Sequence, residues 1–193
     1  MKDSKLKLIW NDQDQLKLSI SQGNQSAFEQ LYLQYNKKIT SFATYLLKSK
    51  ELAEEVVEDV FVKLWCRRET VTEIKDLKLF LYTSTKNLCL NTLAKNSNKI
   101  VSSSIELLDL DFYSQESPQE AIIASELMKN MQQAIDALPA RCKLIFKLIR
   151  EDGLKYKEVA EILGISVNTI DNQMAIAVKR ICSALKIRKE DVL

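Results

Sequence analysis

The 193-residue chain contains no histidine, which removes the commonest general base and the commonest metal ligand from its chemistry. It has only 3 glycines and 2 prolines. That supply of sharp-turn residues is too small for a sheet with many hairpins and favours long helices. Four cysteines, Cys66, Cys89, Cys142 and Cys182, are scattered along the sequence, and no pair has the C-x-x-C spacing of a zinc or redox site. Each falls within a helical pattern, where a small apolar side chain is the ordinary role. No apolar run approaches the roughly 20 residues of a membrane span. The N-terminus, MKDSKLKLIWNDQDQ, lacks the apolar stretch of a signal peptide. The missing histidine excludes the usual hydrolase constellations. Composition does not exclude catalysis, but no nucleophile–base or metal constellation is visible, so an enzyme ranks last among the readings and the expectation is a cytoplasmic, non-enzymatic protein with no catalytic residues, no metal or other cofactor and no small-molecule substrate.

What is present is ordinary in amount and uneven in placement. Hydrophobic residues make up 46% and charged residues 28% of the chain, so wholesale disorder is excluded and one large or two small domains can form. Residues 1–100 carry 16 Lys/Arg against 12 Asp/Glu, residues 101–123 carry five acids and no base, and residues 124–193 carry 12 bases against 9 acids. Two mildly basic lobes joined by an acidic segment suit polyanion binding, which needs local rather than global positive charge.

Periodicity fills in the lobes. Ala27, Phe28, Leu31, Tyr32, Tyr35, Ile39, Phe42, Ala43 and Leu46 mark one face of a long helix, or of two with a bend between them. Gly23 and Asn24 suit the end of a short helix over residues 12–22. In ELAEEVVEDVFVKLWCRR, an apolar stripe from Leu52 to Trp65 opposes Glu54, Glu55, Glu58, Asp59 and Lys63, with Ser49 as N-cap. After the polar stretch RRETVTEIKD, a third helix over residues 77–95 is expected to turn Leu77, Phe80, Leu81 and Leu88 inward. Lys78, Thr85, Lys86, Asn87, Asn91 and Lys95 are left for solvent or a ligand. Residues 97–117 break the periodicity and read as a flexible connector. Ser117-Pro118-Gln119-Glu120 combines a capping box with proline at the first helical position. A helix to Pro139 follows, then a second, RCKLIFKLIRED, that stops near Gly153.

The segment KYKEVAEILGISVNTIDNQMAIAVKRI has the layout of a helix-turn-helix. Val159, Ala160 and Leu163 supply the inner face of its first helix, and Gly164 sits at the turn. Ile165 fills the space between the helices and Ser166 caps the second, which Ile170, Met174, Ala177 and Ile181 bury. Asn168, Thr169, Asp171, Asn172, Gln173, Lys179 and Arg180 are left exposed. Amides and hydroxyls near the start of such a helix can bond base edges, and Lys and Arg further along can bind phosphates.

The stretch from Leu138 to Ile181, LPARCKLIFKLIREDGLKYKEVAEILGISVNTIDNQMAIAVKRI, resembles the C-terminal, −35-recognising domain of extracytoplasmic-function (ECF) sigma factors. AFEQLYLQYNKKI, EEVVEDVFVKLW and FLYTSTKNLCLNTLAK resemble their region 2. The resemblance runs from about residue 12 to residue 186, in family order, and is strongest to the group common in Bacteroidetes. It implies an all-α protein of two small helical domains, sigma region 2 (1–96) and the sigma region 4 helix-turn-helix (118–193), joined by a flexible acidic linker (97–117). It implies an alternative sigma factor that binds core RNA polymerase through the β′ clamp and β flap, recognises −35 and −10 promoter elements and melts DNA. A membrane-spanning anti-sigma factor is implied as regulator.

Residue by residue, the resemblance assigns Glu55, Glu58, Asp59, Val62 and Lys63 to polymerase binding; without it, these charges read as a solvated face. It assigns Lys78, Lys86, Asn87, Asn91 and Lys95 to the −10 element, with the loop over residues 70–75 forming a pocket for a flipped base. It assigns Ser166, Asn168, Thr169, Asn172, Gln173, Lys179 and Arg180 to the −35 element. The linker is expected to run toward the RNA exit channel. The chain departs from the family pattern at Ile176, where many relatives carry Arg or Lys, and at Asp171; both weaken phosphate attraction. Two other readings stay open on the residues alone. One is a helix-turn-helix regulator with a helical effector domain, and the other is a helical adaptor that does not bind DNA.

Overall fold

In the computed structural model, residues 12–97 and 126–186 are described. Every element among them is helical, and the chain divides into two compact units at residue 101. The expected acidic linker and the helix start at Ser117 to Glu120 lie outside the described residues.

The first unit begins with α1 (Gln13–Ser21), capped by Asp12, whose carboxylate accepts from the Asp14 N–H at 3.0 Å. A tight turn leads into α2 (Gln25–Leu47), where Asn24 Oδ1 accepts from the Ala27 N–H at 3.1 Å. The apolar periodicity over residues 27–46 therefore forms one continuous helix. Ser49 caps α3 (Lys50–Cys66), accepting from the Leu52 N–H at 3.2 Å as its sequence position predicts. A short 3-10 helix (Arg68–Glu73) then connects to α4 (Leu77–Ser97).

α2 packs on α3 and α4, α3 packs on α4, and α1 lies against the 3-10 helix. Leu31, Ile39, Val57, Val60, Leu77, Leu81 and Tyr82 are buried between them. Aromatic rings join α2 to its neighbours: Phe28 lies 4.8 Å from Trp65, Tyr32 lies 4.8 Å from Phe61, and Phe42 lies 5.4 Å from Tyr82, all tilted or edge-on.

Two expectations for this unit are corrected. The stretch over residues 70–75 is not an open loop: i to i+3 bonding winds it up to Glu73, and Val71 is fully buried as its anchor. The inward face of α4 is also rotated from the expected one. Leu77, Leu81, Tyr82, Thr85, Lys86, Cys89 and Leu90 are buried, whereas Phe80 is 38% exposed and Leu88 half-buried. Apolar residues lie nearly all round α4, so its sequence permits two overlapping faces. The packing selects the one that buries the Lys86 stem and the Thr85 hydroxyl.

The second unit holds α5 (Glu126–Asp136), α6 (Ala140–Arg150), α7 (Tyr156–Leu163) and α8 (Val167–Leu185). α8 packs against α5, α6 and α7, and α6 against α7. Leu138, Ile145, Leu148, Ile162, Leu163 and Ile170 are nearly or wholly buried there. Asp136 ties α5 to α6, pairing with the Lys143 ammonium and accepting from Gln132 Nε2 at 2.9 Å. Burial pushes the Asp136 carboxyl upward. The bonds from Lys143 and Gln132 and the charges of Lys143 and Lys147 together hold it below the ordinary aspartate value.

Candidate nucleic-acid and polymerase interfaces

α7 and α8 form the helix-turn-helix that the spacing predicts. Glu158 accepts from the Lys155 N–H at 2.8 Å and secures the start of α7. Gly164 ends it in the left-handed region at φ 68, where a side chain would be strained. Two residues later, Ser166 Oγ accepts from the Thr169 N–H at 3.0 Å and starts α8.

The predicted −35 residues divide into two groups. Ser166 and Thr169 are occupied by the cap, their hydroxyls 2.8 Å apart. Gln173 turns toward α6, where its Oε1 accepts from Cys142 Sγ at 2.9 Å. Burial pushes the Cys142 thiol up, against the downward pull of the Arg180 and Arg141 charges. Asn168, Asn172, Lys179 and Arg180 are exposed. Asn168, Asn172 and Ile176 follow one another at four-residue spacing, so they share the outward face of α8. Ile176 is 41% exposed on that face.

The predicted −10 residues on α4 also divide. Asn87, Asn91 and Lys95 are exposed at four-residue spacing and share one face. Lys78, nine positions before Asn87, lies half-buried on the opposite side of the helix. Lys86 is 7% exposed, contrary to its expected solvent position, and burial lowers its ammonium from the ordinary lysine value. Its stem is covered by protein, as long cationic side chains allow when the head stays near water. Phe80, two turns before Asn87, belongs to the same outward face. Sequence reasoning assigned it to the core; only the packed helix reveals its exposure.

Just before α4 in the chain, the end of the 3-10 helix is held by Lys17, whose ammonium pairs with Asp14 at 2.7 Å and donates to the Ile74 carbonyl at 3.2 Å. The Arg68 guanidinium lies 5.1 Å from the Trp65 ring centroid and donates to the Trp65 carbonyl at 3.2 Å. On α3, Glu55, Glu58, Asp59, Val62 and Lys63 are all exposed on one face, as predicted. Lys63 pairs with Asp59 at 3.5 Å, which leaves Glu55 and Glu58 as the acidic centre beside the apolar Val62.

Comparison with known proteins identifies both units. The family model for sigma-70 region 2 matches residues 31–99 and that for sigma-70 region 4 matches residues 128–181, together more than half of the chain. The chain belongs to the sigma-70 family. The region 2 match spans this sigma factor from α2 through α4, and the region 4 match runs from α5 to near the end of α8.

This sigma factor is 28% identical over 153 residues to the ferric citrate uptake sigma factor FecI of Escherichia coli, covering 79% of the chain and 87% of that relative. It is 24% identical over 187 residues to the RNA polymerase sigma-H factor of Pseudomonas aeruginosa, covering 93% and 97%. The ECF RNA polymerase sigma-E factor of Escherichia coli is 22% identical over 162 residues, covering 80% and 84%. Among solved structures, the sigma factor RpoE in complex with the anti-sigma factor NepR from Bartonella quintana aligns with a TM-score of 0.57. It is 24% identical and covers 83% of this chain and 97% of that one. CnrH in complex with the cytosolic domain of CnrY aligns at 0.51, 17% identical, covering 90% and 96%. The structural likenesses show a shared fold.

Proposed function

We propose that this alternative sigma factor of the ECF type divides its work between the two units. Region 2, over residues 1–96, docks on core polymerase through α3 and holds the opened −10 element on α4. Region 4, over residues 118–193, sets α8 into the major groove of the −35 element. The acidic segment over residues 97–117 joins them. The factor performs no chemistry of its own and works in the cytoplasm.

The observation that carries this reading is the outward face of α8. Its start is fixed by the Gly164 turn and the Ser166 cap, and Asn168 and Asn172 stand exposed where a recognition helix meets base edges. Lys179 and Arg180, further along, suit phosphates, as do Lys155 and Lys157 near the start of α7. On α4, Asn87 and Asn91 suit base edges and Lys95 a phosphate, while Phe80 adds a ring on which an unstacked base can lie. Lys78 and Lys86 contribute positive potential rather than direct contacts. On α3, Glu55, Glu58 and Val62 form an acidic face with an apolar centre, complementary to a basic polymerase surface. The β flap is the expected contact of region 4.

The region 2 match gives the N-terminal helices a role that the regulator reading leaves empty. The complexes of RpoE with NepR and of CnrH with CnrY support control of this chain by a protein inhibitor, expected to be membrane-spanning. The test is run-off transcription with core polymerase on templates from the source genome. Transcripts requiring both proteins, lost with Asn172→Ala and with Asn91→Ala, support the assignments. Transcripts unchanged by both substitutions refute the DNA-binding faces.

A further inference from the structure

Lys17 sits where α1 calls for an apolar side chain. It shares the buried face of the helix with Leu16 and Ile20, and its own side chain is 9% exposed. Compared with a well-packed apolar side chain, a buried cation adds little stability, and its distinctive use is to fix one geometry. The geometry fixed here is that of the chain entering α4. Ile74 leaves the 3-10 helix with extended backbone, and its carbonyl accepts from the Lys17 ammonium at 3.2 Å across 57 positions of sequence. The exposed Asp14 pairs with the same ammonium at 2.7 Å. From Ile74 the restraint passes along a short path. Only Lys75 separates Ile74 from Asp76, and Asp76 sets the first turn of α4. Its Oδ1 accepts from the Leu79 N–H at 3.0 Å and its carbonyl from the Phe80 N–H at 3.0 Å. Phe80, 38% exposed, thus stands one hydrogen-bonded turn beyond the point that Lys17 holds.

We infer that Lys17 is a positioning residue for holding opened DNA. Through the Ile74 carbonyl it fixes the start of α4, and with it the Phe80 ring, in the orientation that receives an unstacked base. The inference rests on the proposed role of Phe80 at the −10 element. Val71, fully buried, and Arg68, which donates to the Trp65 carbonyl at 3.2 Å, pin the middle and the start of the 3-10 helix. Lys17 adds the restraint at its end, the part continuous with α4. Stacking depends on the tilt and offset of the ring, so a small rotation of this first turn loses contact with the base. An apolar residue at position 17 would fill the same space in α1 and could not bond the carbonyl. It would leave the helix packed and the turn free to rotate.

The test measures binding of single-stranded DNA that carries the non-template −10 sequence of a promoter supporting run-off. Holoenzyme assembled from core polymerase and the full chain is used, so unfolded chain is excluded from the measurement. Phe80→Ala should weaken binding about ten-fold and Lys17→Met about five-fold. Lys17→Arg keeps a cationic donor and should bind as the wild type does. Lys17→Gln, with a shorter and neutral donor, should fall between Met and the wild type. Adding Lys17→Met to Phe80→Ala should cost nothing more, because both act through one ring. A merely structural role for Lys17 would weaken both backgrounds equally. Binding by Lys17→Met equal to the wild type, or effects of the two substitutions that multiply, overturns the inference. Full binding by Phe80→Ala overturns it too, and the sigma reading survives all three results. A holoenzyme that gives no run-off on any template overturns the sigma reading with it.

Discussion

Lys86→Met separates stability from function at a single buried site. Lys86 is 7% exposed on α4, and its ammonium titrates below the ordinary lysine value because burial penalises the charged form. Methionine has a similar unbranched length and similar helix propensity, so the apolar contacts of the stem are largely retained. What changes is the cation. Full burial of an ion costs several kcal/mol, but a lysine head that reaches toward water avoids most of that. The substitution is therefore expected to stabilise region 2 by about 1 kcal/mol near neutral pH. The pH dependence has a definite sign. Between the lowered folded value and the ordinary 10.5, the unfolded state binds more protons, so wild-type stability rises with pH and the advantage of Met shrinks. Both tryptophans, Trp10 and Trp65, lie in residues 1–101, so urea unfolding followed by tryptophan fluorescence reports this unit. In run-off assays the same variant should lose activity through weaker positive potential at the opened DNA. A variant destabilised by about 1 kcal/mol or more near neutral pH would refute the argument, because it would mean the ammonium is well partnered in the fold.

Three further outcomes are expected. Ser166→Ala removes the α8 cap and should cost about 1 kcal/mol, with Ser166→Asp restoring most of it in thermal unfolding. Asp136→Asn should lower stability by about 0.5 kcal/mol near neutral pH, an amount reduced by the partial exposure of the pair. Because the folded carboxyl titrates below its unfolded value, that contribution is present above the unfolded value and lost as pH falls through the folded one. Chemical denaturation of wild type and variant should therefore converge in acid. Glu58→Lys reverses charge on the exposed face of α3 and should weaken core polymerase binding about ten-fold in titrations, with unchanged unfolding.

The sequence was most legible where side-chain chemistry and spacing act locally. Asn24, Ser49 and Ser166 cap their helices, and Gly164 turns between α7 and α8, because each needs only neighbours within a few residues. The α3 face was readable for the same reason: its apolar stripe and charged face are cleanly separated. α4 was not, since apolar residues surround it, and only contact with α2 and α3 decides that Phe80 faces out and Lys86 in. The occupation of Gln173 by Cys142, 31 positions away, is likewise a product of packing. It left no mark in the local sequence. The 3-10 helix was hidden in a polar stretch whose one anchor, Val71, carries too little periodicity to announce itself.

The central claim is that two matched regions act together as a sigma factor, and reconstituted initiation tests it most directly. Core polymerase and the purified chain should together produce discrete run-off transcripts from templates of the source genome, with neither protein sufficient alone. A chain that neither co-elutes with core polymerase nor yields such transcripts would contradict the account.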